Sequence, residues 1–160
     1  MKRSTLRLTG LAVLLAFTLA SGLSAQLATK KTLTLEAAKK IAAAAEAFAV
    51  KNKWDVVISV MDDGGHLLYL QRMVGAQLAS IEISQLKARA ALTYKRPTKV
   101  FEDRVASGGV NVLNLPGLAP FEGGLPITVG GEIVGSIGVS GVLSSQDGQI
   151  AAAGAAVISQ

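Results

Sequence analysis

Two strand-like runs joined by a glycine-rich turn constrain the fold of this chain most. Residues 56–61 read VVISVM, residues 66–73 read HLLYLQRM, and the four residues between them are Asp-Asp-Gly-Gly. β-Branched and aromatic residues favour strands, and Asp-Gly sequences favour the tight turns that reverse an antiparallel pair. The pattern therefore predicts a β-hairpin, and with it an antiparallel sheet.

A second group of short strands is expected nearer the C-terminal end. Glycine pairs at 123–124 and 130–131 separate three apolar segments, and paired glycines are typical of turns. The strand candidates are Pro120–Glu122, Leu125–Val129 and Glu132–Val139. Together with the first hairpin, these segments give five candidate strands.

Helical patterns surround the strands. Thr34 is expected to cap a first helix, because Glu36 follows in the first turn and apolar residues then recur at intervals of three and four. A second helix is expected over Leu78–Tyr94, and its predicted core residues are Ile81, Leu86, Ala88 and Leu92. The remaining helices are expected from Thr98 to Val105, and from a cap at Asp147 or a nearby serine to Ile158. The order α-β-β-α-α-β-β-β-α predicts one α+β domain, with helices over an antiparallel sheet.

The N-terminal segment has the pattern of a secretory signal. Three basic residues within the first seven positions precede an apolar run at 8–20 and a small-residue exit ending at Ala25. The apolar run is shorter than the roughly 20 residues that a membrane-spanning helix needs. We therefore predict a signal peptide at residues 1–25, a mature domain at residues 26–160, and a periplasmic or secreted protein without a stable membrane anchor.

Charge and reactive side chains exclude several functional classes. The 16 basic and 11 acidic residues give a net charge of +5, but loss of three basic residues with the signal leaves 13 against 11, or +2. A charge of this size is ordinary for a soluble domain, so nucleic acid is not an expected partner. The chain has no cysteine and one histidine, which excludes disulfides, thiolate metal sites and multi-histidine metal sites.

The mature segment resembles the GlcG/HbpS family (DUF336), which is related to the C-terminal domain of PduO. The resemblance extends from about Leu33 to the C-terminus and rests on the order and spacing of several segments. They are LTLEAAKKIAAAAEA at 33–47, MDDGGHLLYLQRMVGA at 61–76, SIEISQLKARAAL at 80–92, RPTKVFED at 96–103, FEGGLPI at 121–127, EIVGSIGVSG at 132–141 and SSQDGQIAAAGAAVI at 144–158. The resemblance implies a profilin-like sandwich with a five-stranded antiparallel sheet, binding of haem or a similar small planar ligand, and assembly into dimers or larger homo-oligomers.

If haem is the cofactor that the resemblance implies, six residues are candidates for its site. His66, the only imidazole, is a candidate axial ligand of the iron; the alternative is a surface residue of the hairpin turn. A hydroxyl oxygen is implicated as the ligand in one branch of the family, which makes Thr98 or Tyr94 alternatives in this chain. Basic side chains and the start of the helix after Pro97 are expected to hold the haem propionates. The basic candidates are Arg72, Arg96 and Lys99, and Lys95 is also available. The alternative is that these charges serve only solubility and pairing with the helix dipole.

Two other functions remain open at the level of sequence. Glu122, beside Gly123 and Gly124, is the candidate catalytic residue if the protein is a small-molecule catabolic enzyme. The residues form no catalytic triad and no nucleophile elbow, so the sequence favours a binding protein without deciding the matter. The third interpretation is a cofactor-free oligomeric accessory subunit, in which the glycines serve only turns and close packing.

Overall fold

A computed structural model describes residues 28–158, and its centre is an antiparallel sheet of four strands. β1 (Val57–Asp62) and β2 (Leu67–Arg72) form the first predicted hairpin, and β3 (Gly124–Val129) and β4 (Glu132–Ser140) form another. Because β1 also pairs with β4, the strand order is β2-β1-β4-β3. The predicted antiparallel α+β architecture is confirmed, and the described residues from Lys31 onward belong to one compact unit.

The strand predicted at Pro120–Glu122 is wrong, because these residues form a bend before β3. A proline has no amide hydrogen to donate to a sheet, and the Glu122 amide donates to the Glu102 carboxylate at 2.6 Å instead. Gly123 then takes a φ of +125°, a conformation that other residues rarely adopt. The sheet in residues 28–158 therefore has four strands and not the five expected, and the profilin-like label stays a prediction.

Four α-helices and one 3-10 helix flank the sheet in the described part of the chain. They are α1 (Leu35–Lys51), α2 (Ser80–Thr93), α3 (Lys99–Ala106), the 3-10 helix (Val110–Asn114) and α4 (Ser144–Ala155). The Thr34 hydroxyl caps α1 as predicted, by accepting a hydrogen bond from the Ala37 amide at 3.2 Å. The Thr98 hydroxyl makes no such cap for α3. At the start of α4, the Gln146 side chain accepts from the Leu143 amide at 3.2 Å, so Asp147 lies inside the helix.

α1 and α4 cover one face of the sheet and form the aliphatic core with it. Successive residues of a strand point to opposite faces, so every second residue of β1 and β4 contributes to this core. Each fully buried aliphatic side chain stabilises the fold by about 1.5–3 kcal/mol. The fully buried members with the largest side chains are Ile41, Val56, Ile58, Val60, Ile127, Ile137, Val139 and Ile150.

α2 covers the opposite face, where the contact with the sheet is polar and closely packed. Its buried residues are Ser80, Ser84, Lys87, Ala88, Ala90 and Ala91. The predicted core residue Ala88 is confirmed, whereas the prediction for Leu86 is wrong, because 43% of its surface is exposed. Ile81 and Leu92 are half-buried. The strand residues that lie closest to the helix, such as Ser59 and Gly138, are themselves small, which suits the small and polar residues of α2. Val57 and Met61, which are fully buried on the same face, add apolar contact to this layer.

The two membrane-related predictions concern different parts of the chain. The predicted signal peptide, at residues 1–25, lies outside the described residues. Within residues 28–158, no helix combines the length and the apolar composition that a membrane span requires.

Candidate functional site

His66 lies at the surface, directly after the β1–β2 turn. Its side chain is 83% exposed, and Nδ1 is 3.4 Å from Asp62 Oδ1. The same carboxylate oxygen accepts hydrogen bonds from the amides of Gly64 and His66, both at 2.9 Å. Asp62 therefore orders the turn and holds the imidazole beside it, which leaves most of the ring accessible.

Arg72 lies at the other end of β2. Its guanidinium donates to the Ala76 carbonyl through Nε at 3.3 Å and Nη2 at 3.0 Å, which closes the loop after the strand. A strand rises about 3.3 Å per residue, so six residues place His66 and Arg72 roughly 20 Å apart along β2. The structure therefore does not bring these two predicted haem contacts together.

Tyr94 and Arg96, in contrast, meet at Phe101 of α3 in an aromatic and basic cluster. The Tyr94 and Phe101 rings pack edge to face, with their centroids 5.2 Å apart, and the Arg96 guanidinium lies 5.9 Å from the centre of the Phe101 ring. The Tyr94 hydroxyl donates to the Pro116 carbonyl at 2.7 Å, and Arg96 Nε donates to the Tyr94 carbonyl at 2.9 Å. These contacts fix the cluster against the loop that follows the 3-10 helix.

Exposed apolar side chains belong to the same part of the molecule. They are carried by α3, by the 3-10 helix that contacts α3, and by the loop that leads to β3. We call these residues, together with Tyr94, Arg96 and Phe101, the α3 surface. Its exposed apolar members are Val100, Val110, Leu113, Leu115 and Phe121. Such a concentration of exposed apolar side chains is typical of a surface that binds a ligand or a partner.

Thr98 connects the α3 surface to the sheet. It is fully buried, and its hydroxyl oxygen accepts a hydrogen bond from the Gly124 amide at 2.9 Å. The Thr98 amide donates to the Gly124 carbonyl at 3.0 Å. The amides of Val100, Phe101 and Glu102 donate to carbonyls of Pro97 or Thr98. The start of α3 therefore offers fewer free amides to an anion than the sequence predicted.

Lys99 forms an exposed ion pair with the next turn of α3. Its Nζ is 2.7 Å from Asp103 Oδ1, and this hydrogen bond raises the pKa of the Lys99 ammonium. More than half of each side chain is exposed, and exposed pairs of this kind contribute little to stability. Lys99 can therefore exchange Asp103 for another carboxylate at low cost.

Glu122 lies between α3 and α4 without forming a recognisable catalytic arrangement. Its amide donates to Glu102, and its carboxylate packs against Gly148 of α4, where any larger residue would collide with it. No group of three or more histidine and acidic side chains suited to a metal ion occurs among residues 28–158. The catalytic role of Glu122 stays a prediction.

A buried ion pair between the two helical layers was not foreseen from the sequence. Lys87 Nζ of α2 is 2.8 Å from Asp147 Oδ2 of α4, and both side chains are only 3% exposed. Burial raises the pKa of the Asp147 carboxyl, although the charge of Lys87 and hydrogen bonds from the Val142 and Gly141 amides act in the opposite direction. The periodic spacing of Ser80, Ser84 and Lys87 was the available signal, because it places three polar residues on one face of the helix.

Several open clefts of residues 28–158 lie away from the predicted haem contacts, and three of them are of similar size. One, of about 270 Å³, lies between the start of α1 and the β3–β4 hairpin. Another, of about 260 Å³, lies on the outer face of α2. The third, of about 290 Å³, lies beside Trp54 and Met73. None of the three is lined by His66, Arg72, Glu122 or a residue of the α3 surface.

Fold and site together define a class: a small α+β domain with helices on both faces of an antiparallel sheet and an aromatic, basic surface at a short helix. A family model described as "Haem degrading protein HbpS-like" matches residues 33–156. The chain belongs to this HbpS-like family, and the GlcG/HbpS relationship inferred from the sequence is confirmed.

Known relatives match over most of their length. Protein GlcG of Escherichia coli K12 is 45% identical over 112 residues, which cover 70% of this chain and 84% of GlcG. A double mutant of HbpS from Streptomyces reticuli superposes with a TM-score of 0.77 at 36% identity, covering 86% of this chain and 94% of that one. The structure of a PduOC:heme complex superposes with a TM-score of 0.72 at 29% identity, covering 79% and 95%.

Proposed function

We propose that the protein is an exported haem-binding protein that sequesters or senses haem, and that the α3 surface is its binding site. The observation that carries this proposal is the fixed cluster of Tyr94, Arg96 and Phe101 beside exposed apolar side chains. Haem is a planar apolar ring with two carboxylates, so it needs both components. The related domain solved as a PduOC:heme complex supports the choice of ligand.

The residues of the α3 surface fit the two parts of haem. Phe121 and the apolar side chains around α3 offer contact area for the ring, and Arg96 offers a planar donor that can pair with a propionate in a bidentate manner. Lys99 offers a second cation, since its pair with Asp103 is exposed. Bound haem would supply an iron centre for redox chemistry or for sensing, and this chain would bind and orient it.

Two of the candidate iron ligands would have to give up an existing hydrogen bond. The Thr98 hydroxyl is buried against the Gly124 amide, and the Tyr94 hydroxyl donates to the Pro116 carbonyl. His66 is exposed and needs no rearrangement, but it follows the β1–β2 turn and is not part of the α3 surface. All three roles therefore stay predictions, to be separated by substitution.

The binding site is tested by titrating hemin into the mature protein and following the Soret band. Loss of a hydrogen bond to a charged group costs about 1.5–3 kcal/mol, so we expect Arg96→Ala to weaken hemin binding at least about tenfold. Lys39→Ala, an exposed substitution on α1, is the control and should bind like the wild type. Equal affinity in the Arg96→Ala and wild-type proteins would refute the α3 surface as the site.

The iron ligand is tested by the wavelength of the Soret band in His66→Ala, Tyr94→Phe and Thr98→Val. Removal of the true ligand should shift the band, whereas the other two substitutions should leave it in place. Thr98→Ser keeps the hydroxyl and controls for unfolding of the buried site. A band that is unchanged in all three variants would exclude all three side chains as the iron ligand.

Export and self-association are the remaining parts of the proposal. Cleavage after Ala25 would give a mature chain beginning at Gln26, which mass spectrometry of the exported protein would detect. An intact N-terminus in the cytoplasm would contradict it. We further propose a homo-oligomer, which light scattering of the mature protein tests directly.

A further inference from the structure

The outer face of α2 carries a short stripe of residues that is open to solvent. We call Glu82, Gln85, Leu86 and Arg89 the α2 stripe; these four residues line the cleft of about 260 Å³. Leu86 is 43% exposed, and Leu78, just before the helix, is 75% exposed. The stripe lies opposite the buried face of the helix, so no other part of residues 28–158 covers it.

The charges of the α2 stripe have no ion-pair partners within the described part of the chain. Neither Glu82 nor Arg89 forms an ion pair there, and both side chains are exposed. Seven residues separate them, which is two turns of helix and about 10.5 Å along its axis. The acid and the base therefore stand on one line, with Gln85 and Leu86 midway between them.

This arrangement is complementary to itself. If a second copy of α2 crosses antiparallel about a twofold axis through the midpoint, Glu82 of each copy faces Arg89 of the other. The two Leu86 side chains then meet in the cleft at the axis, and Leu78 extends the apolar contact at both ends. A twofold interface requires that one surface patch pair with itself, and the α2 stripe meets that requirement in charge.

We propose that the α2 stripe is an interface between two copies of this chain, with α2 packed antiparallel against its equivalent. The proposal assigns a surface to the self-association proposed above and rests on that self-association. It does not depend on haem binding. Opposite charges across an interface fix its register, and like charges in the same place cost several kcal/mol. Charge reversal therefore offers a specific test.

The experiment measures the mass of the mature protein by light scattering and ultracentrifugation across a range of concentrations. Glu82→Arg places arginine against arginine at both ends of the interface, and Arg89→Glu places acid against acid. Each variant alone should self-associate at least about tenfold more weakly than the wild type. Lys40→Glu, an exposed charge reversal on α1, is the control and should associate like the wild type.

Mixing the two variants gives the decisive result. Between Glu82→Arg and Arg89→Glu chains, every pair across the interface is again between opposite charges. An equimolar mixture carrying different tags should therefore form a heterodimer, which copurification through either tag detects, and added salt should weaken it. Circular dichroism of each variant checks that it is folded, and we expect folded variants because both substituted side chains are exposed.

The outcomes separate the interface from the broader proposals. Unchanged association of both single variants, or folded variants that fail to pair when mixed, would overturn the α2 interface while leaving self-association intact. A wild-type protein that stays monomeric would overturn both. Hemin titration of the Arg89→Glu variant is read separately, because a loss of association with unchanged hemin affinity supports two distinct surfaces.

Discussion

The two faces of the central sheet are built by the same strands but packed by different physics. Under α1 and α4, residues such as Ile58 and Ile137 form an aliphatic core. Under α2, their sequence neighbours Ser59 and Gly138 meet serines, alanines and a lysine. One layer is held by area buried from water, and the other by close approach and by specific polar pairs. The difference teaches that a helix can cover a sheet without an apolar stripe of its own.

Close approach under α2 depends on glycine. A Cβ on Gly138 would collide with the Ser84 carbonyl oxygen and the Ala88 backbone, so the helix lies directly on the strand. Polar pairs then satisfy four buried hydroxyls: Ser59 and Ser84 share a hydrogen bond of 2.8 Å, and the Ser140 hydroxyl donates to Ser80 at 3.1 Å. The buried Ser136 hydroxyl has no hydrogen-bond partner among residues 28–158. The contact between α2 and β4 therefore leaves no room for added volume at Gly138.

Breaking the ion pair of the polar layer should have the largest effect on stability. Lys87→Met leaves the Asp147 carboxylate buried without its cation, which costs about 3–5 kcal/mol. The double variant Lys87→Met/Asp147→Leu removes both charges and should recover most or all of that loss. Urea denaturation measures both free energies of unfolding. A single variant as stable as the wild type would show that the pair contributes nothing.

Adding one methyl group on the α2 face and removing one on the opposite face compares how the two faces respond to a change in volume. Gly138→Ala adds a methyl where helix and strand backbones touch, and overpacking of this kind costs about 1–3 kcal/mol. On the other face, Ile137→Val removes a methyl from the aliphatic core and should cost about 0.5–1.5 kcal/mol. Thermal unfolding of the two variants compares them. If Gly138→Ala is the milder change, the backbones of α2 and β4 are not in direct contact.

The change of stability with pH should be smaller than the effects of breaking the ion pair or of altering one methyl group. Burial raises the pKa of Asp147 above its ordinary value of 3.8. At pH values between 3.8 and the pKa of Asp147 in the folded protein, the folded protein therefore holds more protons than the unfolded chain. The stability that this carboxyl contributes is present below pH 3.8 and is lost as the pH rises through the folded pKa.

The measurement compares the wild type with Lys87→Met/Asp147→Leu, in which the other carboxyls titrate equally. The free energy of unfolding of the wild type, minus that of the double variant, should fall as the pH rises from about 3 to 7. A difference that rises over this range would mean that attraction by Lys87 outweighs burial.

The same contrast explains how much the sequence could predict. Periodic apolar residues predicted α1, and β-branched runs with glycine turns predicted both hairpins, because those patterns are local. The polar face was missed, since Lys87 and Asp147 lie 60 residues apart and only the fold brings them together. Leu86 was predicted to be buried because it is apolar, yet the available space under α2 suits small residues. The prediction of a strand at Pro120–Glu122 was wrong because the Glu122 amide donates to the Glu102 carboxylate and not to a neighbouring strand.

The candidate site shows a similar division. Tyr94, Arg96, Thr98 and Lys99 are close in sequence, so they could be named together before the structure was known. The Phe101 ring that joins Tyr94 to Arg96 and the Gly124 amide that binds Thr98 were not foreseen. The contact of Thr98 depends on Gly124 of β3, which lies 26 residues further along the chain.

The most direct test of the central claim is the absorbance spectrum of the wild-type protein, isolated from its exported form and then titrated with hemin. Haem binding predicts a Soret band that is distinct from that of free hemin and that saturates at a fixed stoichiometry. A titration that never saturates, with a spectrum identical in a His66→Ala/Arg96→Ala double variant, would contradict the account.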